Sequence, residues 1–182
     1  DDGFYLNGKR RQLRGVNRHQ DRYGKGWAVS AADEVEDLKM IKEVGADALR
    51  TAHYPQSQHV YDLCDELGLV CWVEYPNVNR LVFTEEFEAG MHAQVREMVL
   101  QLYNHPSIAM WSMANELHFL NKGWRIDRKK TEAMLARTRD LVRSLDCGRA
   151  IVLATQYDEP EANSVFGIVD DFKIYSQVFG AI

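Results

Sequence analysis

Short apolar runs alternate along this chain with longer segments in which apolar residues recur every three or four positions. The short runs are LRGVNRH, ALRTAHY, LVCWVEYP, SIAMWSMANE, AIVLATQY and FKIYSQVF. Runs that are apolar on both faces are typical of buried parallel strands, and the amphipathic segments between them predict helices. An earlier segment, FYLNGKRRQLRGV, predicts a hairpin that turns at Asn7-Gly8.

Capping residues mark the boundaries of the predicted helices. Ser30 precedes a helix with acidic residues in its first turn, and Gly45 ends that helix. Its predicted inward positions are Val35, Leu38, Ile41 and Val44. A second helix ends at Gly68, a third begins after Thr84, and a fourth runs from about Asp127 to Leu145.

Strands that alternate with helices indicate βα units around a parallel sheet, and therefore an α/β fold. A doubly wound sheet and a (β/α)8 TIM barrel both fit this pattern. No glycine-rich phosphate loop follows a strand, which disfavours a dinucleotide site. Polar residues stand instead at the C-terminal ends of the strands, which meet at one mouth in a barrel. These residues are Arg18, His19, Arg50, His53, Glu74, Asn115, Glu116 and Gln156.

The strand count predicts an incomplete barrel. Six strands are predicted here, whereas a closed (β/α)8 barrel has eight. We therefore expect residues 1–182 to form one partial barrel domain that includes strands one to about six. An open sheet of this kind would leave edge strands uncovered, so we expect further domains of the same polypeptide or a homo-oligomer as partners.

The composition is that of an ordinary globular protein, with 46% hydrophobic and 27% charged residues and a net charge of −5. This acidity argues against a nucleic-acid partner, and no apolar run approaches the roughly 20 residues of a membrane span. The histidines show no paired-ligand motif, so we predict no metal. Cys64, Cys71 and Cys147 have neither metal nor disulfide spacing, and the localisation stays open.

Candidate chemistry centres on the end of the SIAMWSMANE strand. A glutamate that closes an apolar strand can be partly desolvated, as a general acid requires, so Glu116 is a candidate catalytic acid. The amide of Asn115 could bind a sugar hydroxyl. The alternative for Glu116 is a helix-capping or salt-bridging role.

Arg50 and His53 lie in the RTAHYP segment, three residues apart. Arg50 inside a barrel would pair with an internal carboxylate, and His53 reaches the same pocket only if it lies past the strand end. A structural histidine is the alternative for His53. Aromatic side chains add a further possibility, because Trp27 and Trp124 in loops at the mouth could stack on a sugar ring. Two other tryptophans, Trp72 and Trp111, are predicted to be core residues.

Three ordered motifs, LNGKRRQLRGVNRHQD, LRTAHYPQSQHVYDLCDELGLVCWVEYP and NHPSIAMWSMANE, resemble the catalytic barrel domain of glycoside hydrolase family 2. The resemblance extends from about Phe4 to Gly180. It implies retaining hydrolysis of β-linked sugars, with a carbohydrate as the substrate. It also implies that Glu116 is the acid/base and that Asn115 contacts the 2-hydroxyl. The resemblance further implies that His19, Arg50 and His53 line the site.

Two features of the family pattern are not found in this sequence. The resemblance places the nucleophilic glutamate on strand seven, beyond Ile182, so we expect these residues to be inactive alone. The magnesium motif of one subgroup is replaced by PNVNRLV, and neither a metal nor a cofactor is carried over. Glu74 is expected to be a supporting residue and not a substitute nucleophile.

The motifs fit more than one sugar. The segment GVNRHQDRYGKGWAVS resembles the β-galactosidase-like branch of the family, so a retaining exo-β-galactosidase is favoured. A β-glucuronidase, a β-mannosidase and a clan-related endo-glucanase or mannanase remain alternatives. A non-catalytic sugar-binding fragment is a further alternative from a different functional class.

Overall fold

The computed structural model describes residues 4–117, 127–154 and 179–181. The chain begins with a two-stranded hairpin of β1 (Phe4–Leu6) and β2 (Lys9–Arg11). Asn7 and Gly8 connect the strands with φ of 51° and 73°, the left-handed pair that a tight hairpin turn requires. The hairpin predicted at Asn7-Gly8 is therefore confirmed.

A separate six-stranded sheet forms the centre of the molecule, and all its neighbouring strands are parallel. Its strands are β3 (Gly15–Arg18), β4 (Ala48–Thr51), β5 (Val70–Glu74), β6 (Ile108–Asn115), β7 (Ala150–Ala154) and β8 (Phe179–Ala181). Their order across the sheet is β7-β6-β5-β4-β3-β8, so five consecutive strands are neighbours in space. The predicted strand FKIYSQVF lies outside the described residues except for its last residue, Phe179.

In the described part of the chain, four helices connect these strands: α1 (Ala31–Glu43), α2 (Gln58–Leu67), α3 (Glu85–Leu102) and α4 (Arg128–Leu145). The Ser30 hydroxyl accepts from the backbone of Asp33, whose carboxylate accepts from the Ser30 backbone, so the two residues form a capping box. Thr84 caps α3 by accepting from the backbone of Phe87. These contacts confirm the predicted helix starts. No described helix is both long and apolar enough to cross a bilayer.

Side chains alternate between the two faces of the sheet, and each face has its own apolar cluster. One face packs against the helices and includes Leu49, Val73, Trp111 and Ile151. The opposite face carries a smaller cluster of Ala48, Trp72, Met110, Val152 and Ala154. Both faces of the strands are thus buried, as the continuous apolar runs predict, and Trp72 and Trp111 are core residues. The predicted α/β class is confirmed.

The prediction that Val44 faces inward from α1 is wrong. Val44 is 65% exposed, whereas Leu38 and Ile41 are buried. The helix ends at Glu43 and Val44 is its C-cap, so helical spacing no longer directs that side chain toward the sheet.

Candidate active site

Strands β4, β5 and β6 bring four polar side chains together at their C-terminal ends. Arg50 is the second-last residue of β4 and lies on the face of the sheet that carries Ala48 and Trp72. Glu74 is the last residue of β5, and Asn115 is the last residue of β6. His53 follows β4 by two residues. We call Arg50, His53, Glu74 and Asn115 the polar cluster.

Arg50 and Glu74 form the centre of the polar cluster. Arg50 donates from Nε to Glu74 Oε2 at 2.8 Å and from Nη2 to Glu74 Oε1 at 2.9 Å. The side chains are 3% and 0% exposed, so the two charges are almost completely removed from water. A buried ion pair of this kind is tolerated when the geometry is bidentate and the remaining acceptor sites are satisfied.

His53 supplies a third hydrogen bond to Glu74. Its Nδ1 lies 2.6 Å from Glu74 Oε1, a distance that requires a proton on Nδ1 because the carboxylate can only accept. The 3.2 Å contact between Arg50 Nη2 and the same nitrogen is then not a hydrogen bond, since both atoms are donors. This tautomer leaves Nε2 of a neutral His53 as an acceptor for another molecule.

Asn115 is oriented by the same arginine. Arg50 Nη2 donates to Asn115 Oδ1 at 2.6 Å, which assigns the oxygen and nitrogen of this amide. Its Nδ2 has no hydrogen-bond partner among the residues that the structure describes. The Asn115 side chain therefore offers two N–H donors at the end of β6, which suits a sugar hydroxyl.

The backbone of Asn115 is held from the β5 side. Its N–H donates to the Asn77 carbonyl at 2.8 Å, and its carbonyl accepts from the Asn79 N–H at 3.0 Å. Asn77 is itself buried and donates from Nδ2 to the Met113 carbonyl at 3.0 Å. Sequence reasoning did not identify this role of Asn77, because an asparagine after a strand is typical of any turn.

Glu116 is half-buried and directly follows Asn115. Its backbone adopts the left-handed conformation, with φ of 48°. Its N–H donates to the Ala154 carbonyl at the end of β7, at 2.9 Å. Within the described part of the chain, its carboxylate has no hydrogen bond or ion pair. A non-glycine residue in this conformation costs about 1–3 kcal/mol, and such residues cluster at active sites and ligand-binding segments. The salt-bridging alternative for Glu116 has no partner among those residues.

His19 lies beside the polar cluster and contacts it through His53. The two imidazole rings meet edge to face, with centroids 5.1 Å apart. Partial burial lowers the pKa of His19, and His53 and Arg50 lower it further, while Asp21 and Glu74 oppose the shift. His19 is therefore predominantly neutral at pH 7.

Arg18 turns away from the polar cluster, although it also ends a strand. It donates to Asp37 of α1 at 2.7 Å and to Gln56 at 2.5 Å. Gln56 returns a hydrogen bond to the Arg18 carbonyl at 2.6 Å. Arg18 thus connects β3 to α1 and to the loop after β4.

Two further residues predicted at the strand ends or the mouth, Gln156 and Trp124, lie outside the described residues.

Beneath the polar cluster, Arg50 rests on the ring of Trp72, with the guanidinium carbon 4.8 Å from the ring centroid. This contact is of cation–π geometry.

Among the described residues, no group of three His, Cys, Asp or Glu side chains has an arrangement that could hold a metal ion.

Comparisons with known proteins agree with this architecture. A family model described as "Glycosyl hydrolases family 2, TIM barrel domain" matches residues 1–178. A β-glucuronidase of Bacteroides fragilis is 42% identical over 64% of this chain and 18% of its own length. A β-galactosidase of Thermoanaerobacterium thermosulfurigenes is 40% identical over 62% of this chain and 16% of its own length. The chain thus spans about a fifth of the length of the curated relatives it matches.

Solved structures give the same result. The crystal structure of a Bacteroides uniformis β-glucuronidase superposes with a TM-score of 0.87 at 31% identity. That match covers 96% of this chain and 22% of the other. The predicted TIM barrel, of which this chain supplies a part, is confirmed.

Proposed function

The chain belongs to glycoside hydrolase family 2, and from that premise we propose that the full-length protein is a retaining exo-β-glycosidase. In this proposal Glu116 is the general acid and base, and Asn115 binds the substrate beside it. Arg50, His53 and His19 line the sugar-binding pocket. The observation that carries the proposal is the position of Asn115 and Glu116 at the end of β6, where Arg50 fixes the amide of Asn115.

The proposed reaction proceeds in two displacements. Glu116 first protonates the glycosidic oxygen while a second carboxylate attacks the anomeric carbon, which breaks the bond to the leaving group. Glu116 then removes a proton from water, which attacks the same carbon and releases the second carboxylate. Among the described residues, none forms an ion pair or hydrogen bond with the Glu116 carboxylate, which leaves its oxygens accessible to the glycosidic oxygen and to water.

Glu74 is a poor candidate for the second carboxylate. Its oxygens accept from Arg50 Nε, Arg50 Nη2 and His53 Nδ1, so attack would first break these contacts. We propose that the nucleophile follows Ile182 in the full-length polypeptide and that Glu74 holds Arg50 and His53 in place. The polypeptide's further domains are proposed to complete the mouth of the barrel.

Two sugars compete as the natural substrate. The GVNRHQDRYGKGWAVS segment favours a β-galactoside, whereas several similar proteins are named β-glucuronidases. The two sugars differ at C4, where the hydroxyl is axial in a galactoside and equatorial in a glucuronide, and at C6, where the glucuronide carries a carboxylate in place of a hydroxymethyl group. Hydrolysis of 4-nitrophenyl β-galactoside and 4-nitrophenyl β-glucuronide by the full-length enzyme distinguishes the two candidates.

The role of Glu116 is tested by the dependence of the rate on the leaving group. An acid is needed for a poor leaving group but not for 2,4-dinitrophenolate, which departs without protonation. In full-length Glu116→Ala we expect kcat/KM to fall about 10³-fold for an alkyl glycoside and far less for the dinitrophenyl glycoside. The matched control is Glu43→Ala, because Glu43 is exposed at the C-terminal end of α1, on the side of the N-terminal end of β4 and away from the C-terminal strand ends. Equal losses for both substrates would reject Glu116 as the acid.

A further inference from the structure

Two ring pairs lie beside the proposed active site, and they are linked where residues 53 and 54 are adjacent in the chain. The ring of Trp27 lies on that of Tyr54, with centroids 4.9 Å apart and planes inclined by 33°. Tyr54 directly follows His53, whose ring meets His19. We call Trp27, Tyr54, His53 and His19 the ring stripe.

Exposure differs strongly between the polar cluster and Trp27. The side chain of Glu74 is 0% exposed, that of His53 is 29% exposed, and Trp27 is 70% exposed. The polar cluster is therefore the buried end and Trp27 is the outer end. A ligand that extends out of the cluster along the stripe would reach Trp27 last.

The loop that carries Trp27 is fixed, despite its exposure. Arg22 and Gly26 form a backbone bridge, and the Ala28 N–H donates to the Lys25 carbonyl at 3.1 Å. Lys25 donates to Asp33 of α1 at 2.7 Å, and Arg22 donates to the same carboxylate at 2.7 Å. These contacts hold the turn against the N-terminus of α1, so the indole is presented at a defined position.

The other half of the stack is fixed as well. The Tyr54 hydroxyl accepts from the Gln20 N–H at 3.0 Å, and Gln20 Oε1 accepts from the Ser57 N–H at 2.7 Å. The loop after β3 is thereby connected to the loop after β4. An exposed indole on two connected loops has little conformational freedom left to lose when a ligand binds.

We propose that Trp27, supported by Tyr54, binds the leaving-group portion of the substrate, a second sugar ring or an aromatic aglycone. This inference rests on the proposed glycosidase function. An exo-acting enzyme buries the terminal sugar and leaves the group beyond the scissile bond at the rim of the pocket. The C–H faces of a sugar and the faces of an aromatic ring both pack on indole, so Trp27 determines preference among leaving groups.

The test compares two substrates of the full-length enzyme that share one glycosyl group. One is the glycosyl fluoride, whose leaving group is a single atom, and the other is a β-linked disaccharide. The glycosyl group is the one whose aryl β-glycoside the wild-type enzyme hydrolyses. Variants are Trp27→Ala, Trp27→Phe and Tyr23→Ala. Tyr23 is the matched control, since it is fully exposed in the same turn and contacts no described ring.

We expect Trp27→Ala to lower kcat/KM about tenfold for the disaccharide, mainly through KM, because loss of one aromatic face costs roughly 1.4 kcal/mol of binding. The fluoride should change less than about twofold, since it has no group to reach the indole. Trp27→Phe should retain most of the disaccharide activity, and Tyr23→Ala should match wild type.

Equal changes on both substrates, or an unchanged disaccharide rate, would overturn the role of Trp27 and leave the glycosidase proposal intact. A lower thermal midpoint of Trp27→Ala with an unchanged substrate ratio would assign Trp27 to an interface with another domain, which also overturns the role. Failure of the wild-type enzyme to hydrolyse any β-glycoside would instead reject the glycosidase function itself.

Discussion

The guanidinium of Arg50 on β4 holds the carboxylate of Glu74 on β5 through two parallel hydrogen bonds, of 2.8 Å and 2.9 Å. The strands are paired so that Arg50 lies opposite Trp72, which places Glu74 two residues further along on the same face. Through this pair the orientation of His53 and of Asn115 depends on one buried carboxylate. The polar cluster is therefore a single unit.

Removal of the Glu74 carboxylate is predicted to destabilise the protein strongly. Glu74→Ala leaves the Arg50 charge buried and without its counter-charge, a loss of about 3–5 kcal/mol in the free energy of unfolding. Asp140→Asn removes an exposed ion pair with Arg139 and should cost less than about 1 kcal/mol. Urea unfolding of the full-length variants, followed by tryptophan fluorescence, measures both. A Glu74→Ala loss as small as that of Asp140→Asn would contradict the structural role given to Glu74.

Asn115→Asp is predicted to retain the fold and to lose activity. The oxygen facing Arg50 still accepts, but the N–H donors facing the pocket are replaced by an acceptor. Hydrogen bonds to the sugar 2-hydroxyl strengthen in the transition state, so kcat/KM should fall by about 10²-fold or more.

The matching substrate for this variant is a 2-deoxy glycoside. It lacks the hydroxyl that Asn115 is proposed to bind, so wild type and Asn115→Asp should hydrolyse it at more similar rates. If the ratio of the wild-type rate to the Asn115→Asp rate is the same for the 2-hydroxy and 2-deoxy substrates, Asn115 does not bind the 2-hydroxyl.

Asp146 is predicted to contribute an acid-labile part of the stability. Burial raises the pKa of Asp146, but hydrogen bonds from Trp111, Arg149 and the backbone outweigh burial and lower it to about 2. A depressed folded-state pKa stabilises the fold above the unfolded value near 4, and this stabilisation is lost as the pH falls toward 2. The contribution at neutral pH is about 2 kcal/mol.

Asp146→Asn removes this titration. The free energy of unfolding of the variant should be lower than that of wild type at pH 7, and the difference should shrink as the pH falls from about 4 toward 2. Chemical unfolding of both proteins across this pH range provides the comparison. A difference that stays constant with pH would show that Asp146 acts through packing alone.

A Gly→Ala substitution is predicted to have opposite effects on stability at Gly68 and at Gly90. Gly68 is the C-cap of α2 with φ of 65°, and a Cβ is strained in this conformation, so Gly68→Ala should destabilise by about 1 kcal/mol. Gly90 lies inside α3, where an added methyl group would meet no described atom within 4 Å, so Gly90→Ala should stabilise by about 0.5–1 kcal/mol. The thermal midpoints of the two variants should lie on opposite sides of wild type.

The sequence was sufficient to predict strands β3 to β7, the four described helices and the caps at Ser30, Gly68 and Thr84. Ser30, Gly68 and Thr84 act within one turn of their own position, and apolar periodicity reports which face of a segment is buried. These signals are local, so they are readable without a tertiary structure. They fail where an element ends, as at Val44, because the period of the helix no longer applies there.

The alternation of strands and helices, the helix caps and the Asn115-Glu116 pair at the end of an apolar strand were determined by the sequence itself. Only the tertiary structure decided that Arg50 joins Glu74, 24 residues away, and Asn115, 65 residues away, while Arg18 turns to Asp37. The reason is physical. Which side chains meet depends on the register and curvature of neighbouring strands, and these follow from the packing of the whole sheet on its helices.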